Sequence, residues 1–171
     1  MLFRSRGGPQ ENGRRAGTPN LLGAVAFGAA ARAALRAFPL EAARLGALTA
    51  SFLSLLAAQI PGLVCNGPRT DRIPNTLNLT FPHVLGESML IALDLEEVEV
   101  SMGSACAAGA VEPSHVLLAM GRSAREARSS LRLSLGWNTT AQEVARAAEI
   151  IIRIWRRVSE SEPVVACEAL S

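Results

Sequence analysis

A single cysteine, Cys106, lies in a run made almost entirely of glycine, serine and alanine. The other six of the seven residues from Gly103 to Gly109 all belong to these three types. Such a segment makes few anchoring contacts, so the sequence predicts a cysteine displayed on a loop that changes conformation readily. The loop would precede a helix N-terminus, which favours the thiolate if the loop folds back on the helix. Cys106 is therefore a candidate nucleophile, and its interpretation as one more small packing residue stays open.

Three further side chains downstream and upstream of this loop could take part in chemistry. Arg132 alternates with leucines in an apolar strand pattern. A planar guanidinium on a rigid strand suits bidentate binding of a carboxylate, although a solvated strand face explains the pattern equally well. His115 lies one or two residues into a predicted helix and is either a base for Cys106 or a surface residue. His83 follows Phe-Pro and is expected in a turn.

Residues 7–20 are rich in glycine and lead into a helix. Backbone amides and hydroxyls in front of a helix suit anion binding, but glycine-rich segments are usually only turns. The other two cysteines, Cys65 and Cys167, are expected at a strand end and in a loose tail. Three cysteines so far apart and without a Cys-x-x-Cys pair predict neither a disulfide framework nor a zinc site, which favours a reducing cytoplasm.

The composition excludes several functions. All 17 basic residues are arginine, and the 171 residues contain no lysine. Without an ε-amine the chain cannot form a Schiff base, carry a P-loop lysine or use a lysine base. The net charge of +2 argues against a dedicated nucleic-acid binder. With 49% hydrophobic residues, the chain can bury a core.

One uncharged stretch, Leu45 to Gly67, has the length of a membrane span. Polar residues and a Pro-Gly pair interrupt it, and its large apolar residues recur at helical spacing. We therefore expect a soluble, packed helix, with membrane contact as the less favoured alternative. The first eight residues contain no apolar run of the length typical of a signal peptide.

Short strands mixed with helices predict an α+β fold with a short mixed or antiparallel sheet packed against helices. Two helices are expected before residue 61, with a break near Pro39. Capping boxes are expected at Ser123 with Glu126 and at Thr140 with Glu143. The predicted strands are Leu63–Cys65, Thr76–Phe81, Val98–Ser101 and Ser130–Leu135. Two further helices are expected at Gly86–Leu95 and from Pro113 to Gly121. A final helix is expected to bury Val144, Ala148, Ile151 and Trp155.

Four blocks of the sequence resemble the NifS/IscS-type cysteine desulfurases, in the same order and spacing as in that family. VSMGSACAAGAVEPSHVLLAMG resembles the active-site loop, where Ser-Gly-Ser-Ala-Cys precedes a Leu-Glu-Pro-Ser helix start. GGPQENGRRAGTPN resembles the Gly-Gly-Gly-Gln-Glu-x-Gly-x-Arg-Ser-Gly-Thr motif. The remaining blocks are RIPNTLNLTFP and SSLRLSLGWNTTAQEV.

The resemblance implies a homodimeric enzyme of the fold-type I architecture that depends on pyridoxal 5'-phosphate and uses no metal. It would convert L-cysteine to L-alanine and pass the sulfur through a scaffold or acceptor protein to iron–sulfur cluster or thio-cofactor assembly. By the same resemblance, Cys106 forms the persulfide and Arg132 binds the substrate α-carboxylate. Thr18 would contact the cofactor phosphate bound by the partner subunit.

The family's large domain precedes the Gly-Gly motif and holds the Schiff-base lysine. The resemblance therefore implies that this chain is the C-terminal, smaller half, unable to attach the cofactor covalently and inactive alone. We expect a remnant of the cofactor segment at 1–20, connecting helices at 21–60, the small domain at 61–158 and a loose tail at 159–171. The alternative is a non-catalytic module that binds a full-length desulfurase or a sulfur acceptor.

Overall fold

The computed structural model describes residues 7–8, 10–12, 14, 16–68, 70–102 and 112–161. Contacts divide the chain into two compact units, Met1–Leu40 and Glu41–Ser171. In chain order the elements are α1 (Leu21–Gln59), β1 (Val64–Cys65), β2 (Thr76–Thr80), α2 (Gly86–Asp94), α3 (His115–Ala119), α4 (Ala124–Arg128), β3 (Ser130–Ser134) and α5 (Ala141–Ser161).

Helix α1 continues through Pro39, so the expected break between two helices is wrong. Proline removes one main-chain hydrogen bond, to the carbonyl four residues earlier. That carbonyl belongs to Leu35, which is 76% exposed, so water can satisfy it. The boundary between the two compact units falls directly after this point, at Leu40.

The sheet is antiparallel with the strand order β1-β2-β3. Leu79 pairs with Leu131 and Leu77 with Leu133, so these leucines share one face, where all four are buried. The antiparallel sheet packed with helices confirms the predicted α+β class.

The expected strand Val98–Ser101 is reduced to one bridge, between Ser101 and Arg132. The Val98 amide donates to the carbonyl of Leu93 at 3.0 Å, at the end of α2, and so cannot join a strand ladder. Glu97, just before it, has a left-handed backbone with φ of 60°. The chain therefore leaves α2 through a helix-terminating turn that uses the first residue of the expected strand.

The core lies between the apolar sheet face and helices α1, α2 and α5. Helix α5 buries Val144, Ala148 and Ile151, as its spacing predicts. Trp155, expected to be buried, is only half-buried, and its indole Nε1 donates to the Pro82 carbonyl at 2.9 Å. Both capping boxes are present, and α5 continues to Ser161, three residues into the expected loose tail.

Within the described residues, one helix is long and apolar enough to cross a membrane by length and composition, namely α1. Its most apolar 18-residue window has a mean hydropathy of 1.4, and none of that window is buried. Because Thr49, Phe52 and Leu56 are buried, this window precedes them. The stretch from Leu45 to Gly67 differs from it, since it packs into the core and its helix ends at Gln59.

Candidate functional site

The face of the sheet opposite the core is polar because β2 and β3 place hydroxyl, amide and guanidinium groups between their leucines. Strand pairing aligns these residues as three cross-strand pairs on one face. The pairs are Thr76 with Ser134, Asn78 with Arg132 and Thr80 with Ser130. Arg132 therefore stands in the middle of this face, exposed to solvent, as the alternating sequence predicts.

Main-chain bonds fix the backbone of Arg132 directly on one side and through its neighbours on the other. On the β2 side Arg132 faces Asn78 as a pair without main-chain hydrogen bonds, between the pairs Leu131–Leu79 and Leu133–Leu77. On the other side its N–H donates to the Ser101 carbonyl at 2.7 Å, and the Ser101 N–H donates back at 3.1 Å. The Arg132 guanidinium Nη2 also donates to the Ser101 hydroxyl at 3.4 Å. The guanidinium thus rises from a backbone bonded directly to Ser101 and set between residues that pair with β2, which suits repeated binding of one planar anion.

Part of this face is a buried network, centred on Asn66, that the sequence interpretation missed. Asn66 follows β1, is 5% exposed, and donates from Nδ2 to Asn78 Oδ1 at 2.7 Å and to Thr80 Oγ1 at 2.8 Å. Thr80 and Ser130 are joined through their hydroxyls at 2.7 Å, and Ser130 donates to the main-chain carbonyl of Glu126 at 2.7 Å. The sequence does contain an indication for Asn78. It lies between Leu77 and Leu79 in an alternating strand pattern, which places it on the face opposite the leucines, as the same pattern does for Arg132.

A cavity of about 470 Å³ opens over this face. It brings Arg132 together with Asn66, Asn78 and His115, the exposed first residue of α3. His115 is thus beside the predicted carboxylate site. His83 has a left-handed backbone with φ of 60° in a turn, which confirms its predicted place.

Of the remaining predicted residues, Cys65 is described in the same compact unit and does not line this cavity. Cys106 and Cys167 lie outside the described residues. Thr18 is exposed in the segment before α1, in the other compact unit. Cys65 is a half-buried free thiol in β1 that accepts from Arg72 Nη1 at 3.5 Å. Among the described residues, no group of three or more His, Cys, Asp or Glu could hold a metal ion.

The model of the class V aminotransferase family matches residues 5–147 of the chain. Because this match covers most of the 171 residues, the chain belongs to the class V aminotransferase family. Within that family, the chain is similar to the cysteine desulfurases of the NifS/IscS type.

Two curated relatives carry that similarity. A cysteine desulfurase of Frankia sp. (strain EuIK1) is 46% identical over 166 residues, which cover 94% of this chain and 39% of the relative. The cysteine desulfurase IscS of Dictyoglomus turgidum is 40% identical over 157 residues, covering 92% and 40% respectively. The chain therefore spans about 40% of the length of the curated relatives it matches.

Solved structures agree with the sequence comparison. A NifS-like protein superposes with a TM-score of 0.76 at 30% identity, covering 89% of this chain and 38% of that one. A NifS-like protein from Rickettsia africae ESF-5 gives the same TM-score at 29% identity, covering 88% and 39%.

Proposed function

We propose that this chain supplies the substrate-binding and sulfur-accepting part of a cysteine desulfurase. The observation that carries the proposal is the position of Arg132, which stands on the polar sheet face with its main-chain N–H and C=O both bonded to Ser101. Arginine binds a carboxylate through two parallel N–H donors, and a fixed backbone allows this geometry without reorganisation. The similarity to cysteine desulfurases supports L-cysteine as the ligand that carries this carboxylate.

Cys106 would accept the sulfur atom. Its role rests on the resemblance of its loop, since it lies outside the described residues. In the overall exchange the Cβ–S bond of L-cysteine breaks and a persulfide S–S bond forms on Cys106. The carbon skeleton leaves as L-alanine, so L-cysteine and one thiol give L-alanine and one persulfide. An acceptor or scaffold protein would then receive the sulfur for iron–sulfur cluster or thio-cofactor assembly.

Pyridoxal 5'-phosphate would supply the electron sink for breaking that bond. The residues present fit this cofactor only at its phosphate, where the exposed Thr18 hydroxyl can donate a hydrogen bond. They do not fit the whole group, because the 171 residues contain no lysine for covalent attachment. We infer that the lysine comes from residues outside these, and that the 171-residue chain alone is inactive.

Mixing the chain with a lysine-bearing large-domain chain, pyridoxal phosphate and L-cysteine tests this assignment. The expected result is L-alanine from the mixture and none from either chain alone. The Cys106→Ala variant serves as the control and should lose the persulfide. L-alanine from the 171-residue chain alone would contradict the inferred inactivity, and its absence from every mixture would contradict a desulfurase role.

A binding module without catalysis is the second candidate, and the surface of α1 favours it. Large apolar residues near the start of this helix are well exposed, as expected of a surface that a partner covers. They include Leu21, Leu22, Val25 and Phe27, at 71%, 86%, 70% and 79% exposure. Capture of a full-length desulfurase by the chain, unchanged in Cys106→Ala and without L-alanine formation by the chain, would support this candidate.

A further inference from the structure

We propose that Asn78 is a second donor for the substrate carboxylate, acting beside Arg132, and that a chain of buried hydrogen bonds fixes its amide in the donating orientation. This inference rests on the proposed function, because it assigns a specificity-determining residue to the same cavity. An asparagine amide presents either an acceptor or two donors, depending on a half-turn of its end group. The surrounding protons decide which one faces the cavity.

The chain of hydrogen bonds starts at a group that can act only as an acceptor. The main-chain carbonyl of Glu126 can only accept, so Ser130, 2.7 Å away, must give it the one proton of its hydroxyl. Thr80 Oγ1 lies 2.7 Å from Ser130 Oγ. Since the Ser130 proton is already used, the Thr80 hydroxyl must donate to Ser130.

The same count continues to the two asparagines. Thr80 has given its only proton to Ser130, so it can only accept from Asn66 across their 2.8 Å contact. The amide nitrogen of Asn66 therefore faces Thr80, and its second proton lies toward the Asn78 side chain at 2.7 Å. A reversed amide would set its oxygen 2.8 Å from the Thr80 oxygen with no proton between them, and Asn66 is only 5% exposed. Asn78 must consequently turn its oxygen toward Asn66.

Because the Asn78 oxygen accepts from Asn66, the Asn78 amide nitrogen is available to donate to another group. Asn78 is half-buried and lines the cavity beside its cross-strand partner Arg132. Within the described part of the chain, no acceptor is hydrogen-bonded to Asn78 Nδ2. Arg132 instead reaches the Ser101 hydroxyl, on the side of β3 away from β2. Two donors therefore flank one space, an arrangement that matches the two oxygens of a carboxylate.

The test compares L-cysteine with its methyl ester as ligands of the full chain, by NMR titration. Asn78→Asp keeps an oxygen for Asn66 but replaces the donor with an anion. We expect it to weaken L-cysteine binding about tenfold or more, since hydrogen bonds to charged groups are among the strongest in proteins. Binding of the ester should change little. Asn138→Asp makes the same change outside the cavity and should bind both ligands as the unaltered chain does.

Thr80 tests the orienting chain separately. Thr80→Val keeps the shape but removes the hydroxyl that fixes Asn66, whereas Thr80→Ser keeps the hydroxyl. We expect the valine variant to lose preference for L-cysteine over the ester and the serine variant to retain it. Asn78→Ala, which adds no charge, provides the same measurement if Asn78→Asp does not fold.

The outcomes separate this inference from the proposed function. If Arg132→Ala loses L-cysteine binding while Asn78→Asp and Asn78→Ala bind it normally, the role of Asn78 is wrong and that of Arg132 stands. If Arg132→Ala binds normally, or if the unaltered chain shows no preference for L-cysteine over the ester, the carboxylate site itself is wrong.

Discussion

Asn78 and Arg132 are direct partners across β2 and β3, and both line one cavity on the face of the sheet turned away from the core. The leucines next to them point to the opposite face and are buried there. The alternation that builds the core therefore also places an amide and a guanidinium side by side. Substitutions in this pair should change ligand binding with little effect on the core.

The fork of the Arg132 guanidinium should matter more than its charge. Arg132→Lys keeps the positive charge but loses the two parallel donors. We expect about tenfold weaker binding of L-cysteine in an NMR titration, because one of two charge-assisted hydrogen bonds is lost. Arg146→Lys on the exposed side of α5 is the matched control and should bind normally. Equal binding by Arg132→Lys would argue for simple charge attraction.

Glycine is required at position 86 by its contacts. A Cβ there would lie 2.6 Å from the main-chain carbonyl oxygen of Arg128 and 3.0 Å from Met102 Cε. Gly86→Ala should lower the free energy of unfolding by about 1–3 kcal/mol, the usual range for overpacking. Gly46→Ala in α1 meets only Pro74 Cβ, at 3.8 Å, and should raise stability by about 0.5–1 kcal/mol. Urea unfolding of both variants would show opposite shifts, and equal shifts would contradict the contact.

The two capping boxes predict how stability changes with pH. The pKa of Glu126 lies below its usual range because the carboxylate accepts from the Ser123 backbone N–H and then its hydroxyl. The pKa of Glu143 is lowered in the same way by Thr140. The contribution of each glutamate to the free energy of unfolding is complete above the unfolded glutamate pKa of about 4.3. It is lost as the pH falls through the lower pKa of the folded state.

Replacing both glutamates tests this dependence. A Glu126→Gln, Glu143→Gln double variant should lose less stability than the unaltered chain between about pH 6 and about pH 3. Replacing Glu149 and Glu160, exposed residues beyond the first turn of α5, removes the same charge and should leave the slope unchanged. Parallel urea midpoints for all three proteins would contradict the role of the caps.

Trp155 anchors α5 to the turn before α2. Its Nε1 donates to the Pro82 carbonyl at 2.9 Å. Trp155→Phe keeps most of the apolar contact but leaves that carbonyl without its donor, so we expect a loss of about 1 kcal/mol in unfolding free energy. Trp137 is 59% exposed, and Trp137→Phe should have a much smaller effect. Thermal unfolding that ranks the two variants in the reverse order would contradict the anchoring role.

Local patterns in the sequence predicted most elements of the fold. The period-two leucines located β2 and β3, and both capping boxes marked helix starts that the structure confirms. The wrong predictions lie where the surroundings of one residue determine whether a helix or strand continues. Pro39 is tolerated because solvent surrounds its helix turn, and Val98 leaves the sheet because its amide bonds to Leu93.

The candidate site was predicted only in part. Alternation alone indicated that Arg132 is exposed, and the strand pairing confirms it. The sequence interpretation missed Asn66, because its contacts with Asn78 and Thr80 join residues 12 and 14 positions apart. Such a network depends on strand register, which local spacing does not specify. The role of Cys106 remains a prediction from its resemblance.

Sulfur-labelled L-cysteine offers the most direct test of the proposed function. The chain would be mixed with a lysine-bearing large-domain chain and pyridoxal phosphate, alkylated, and digested for mass spectrometry. We predict one labelled sulfur on the peptide containing Cys106, none on those containing Cys65 or Cys167, and no label in Arg132→Ala. Label on another cysteine, or on Cys106 with full yield in Arg132→Ala, would contradict the assignment.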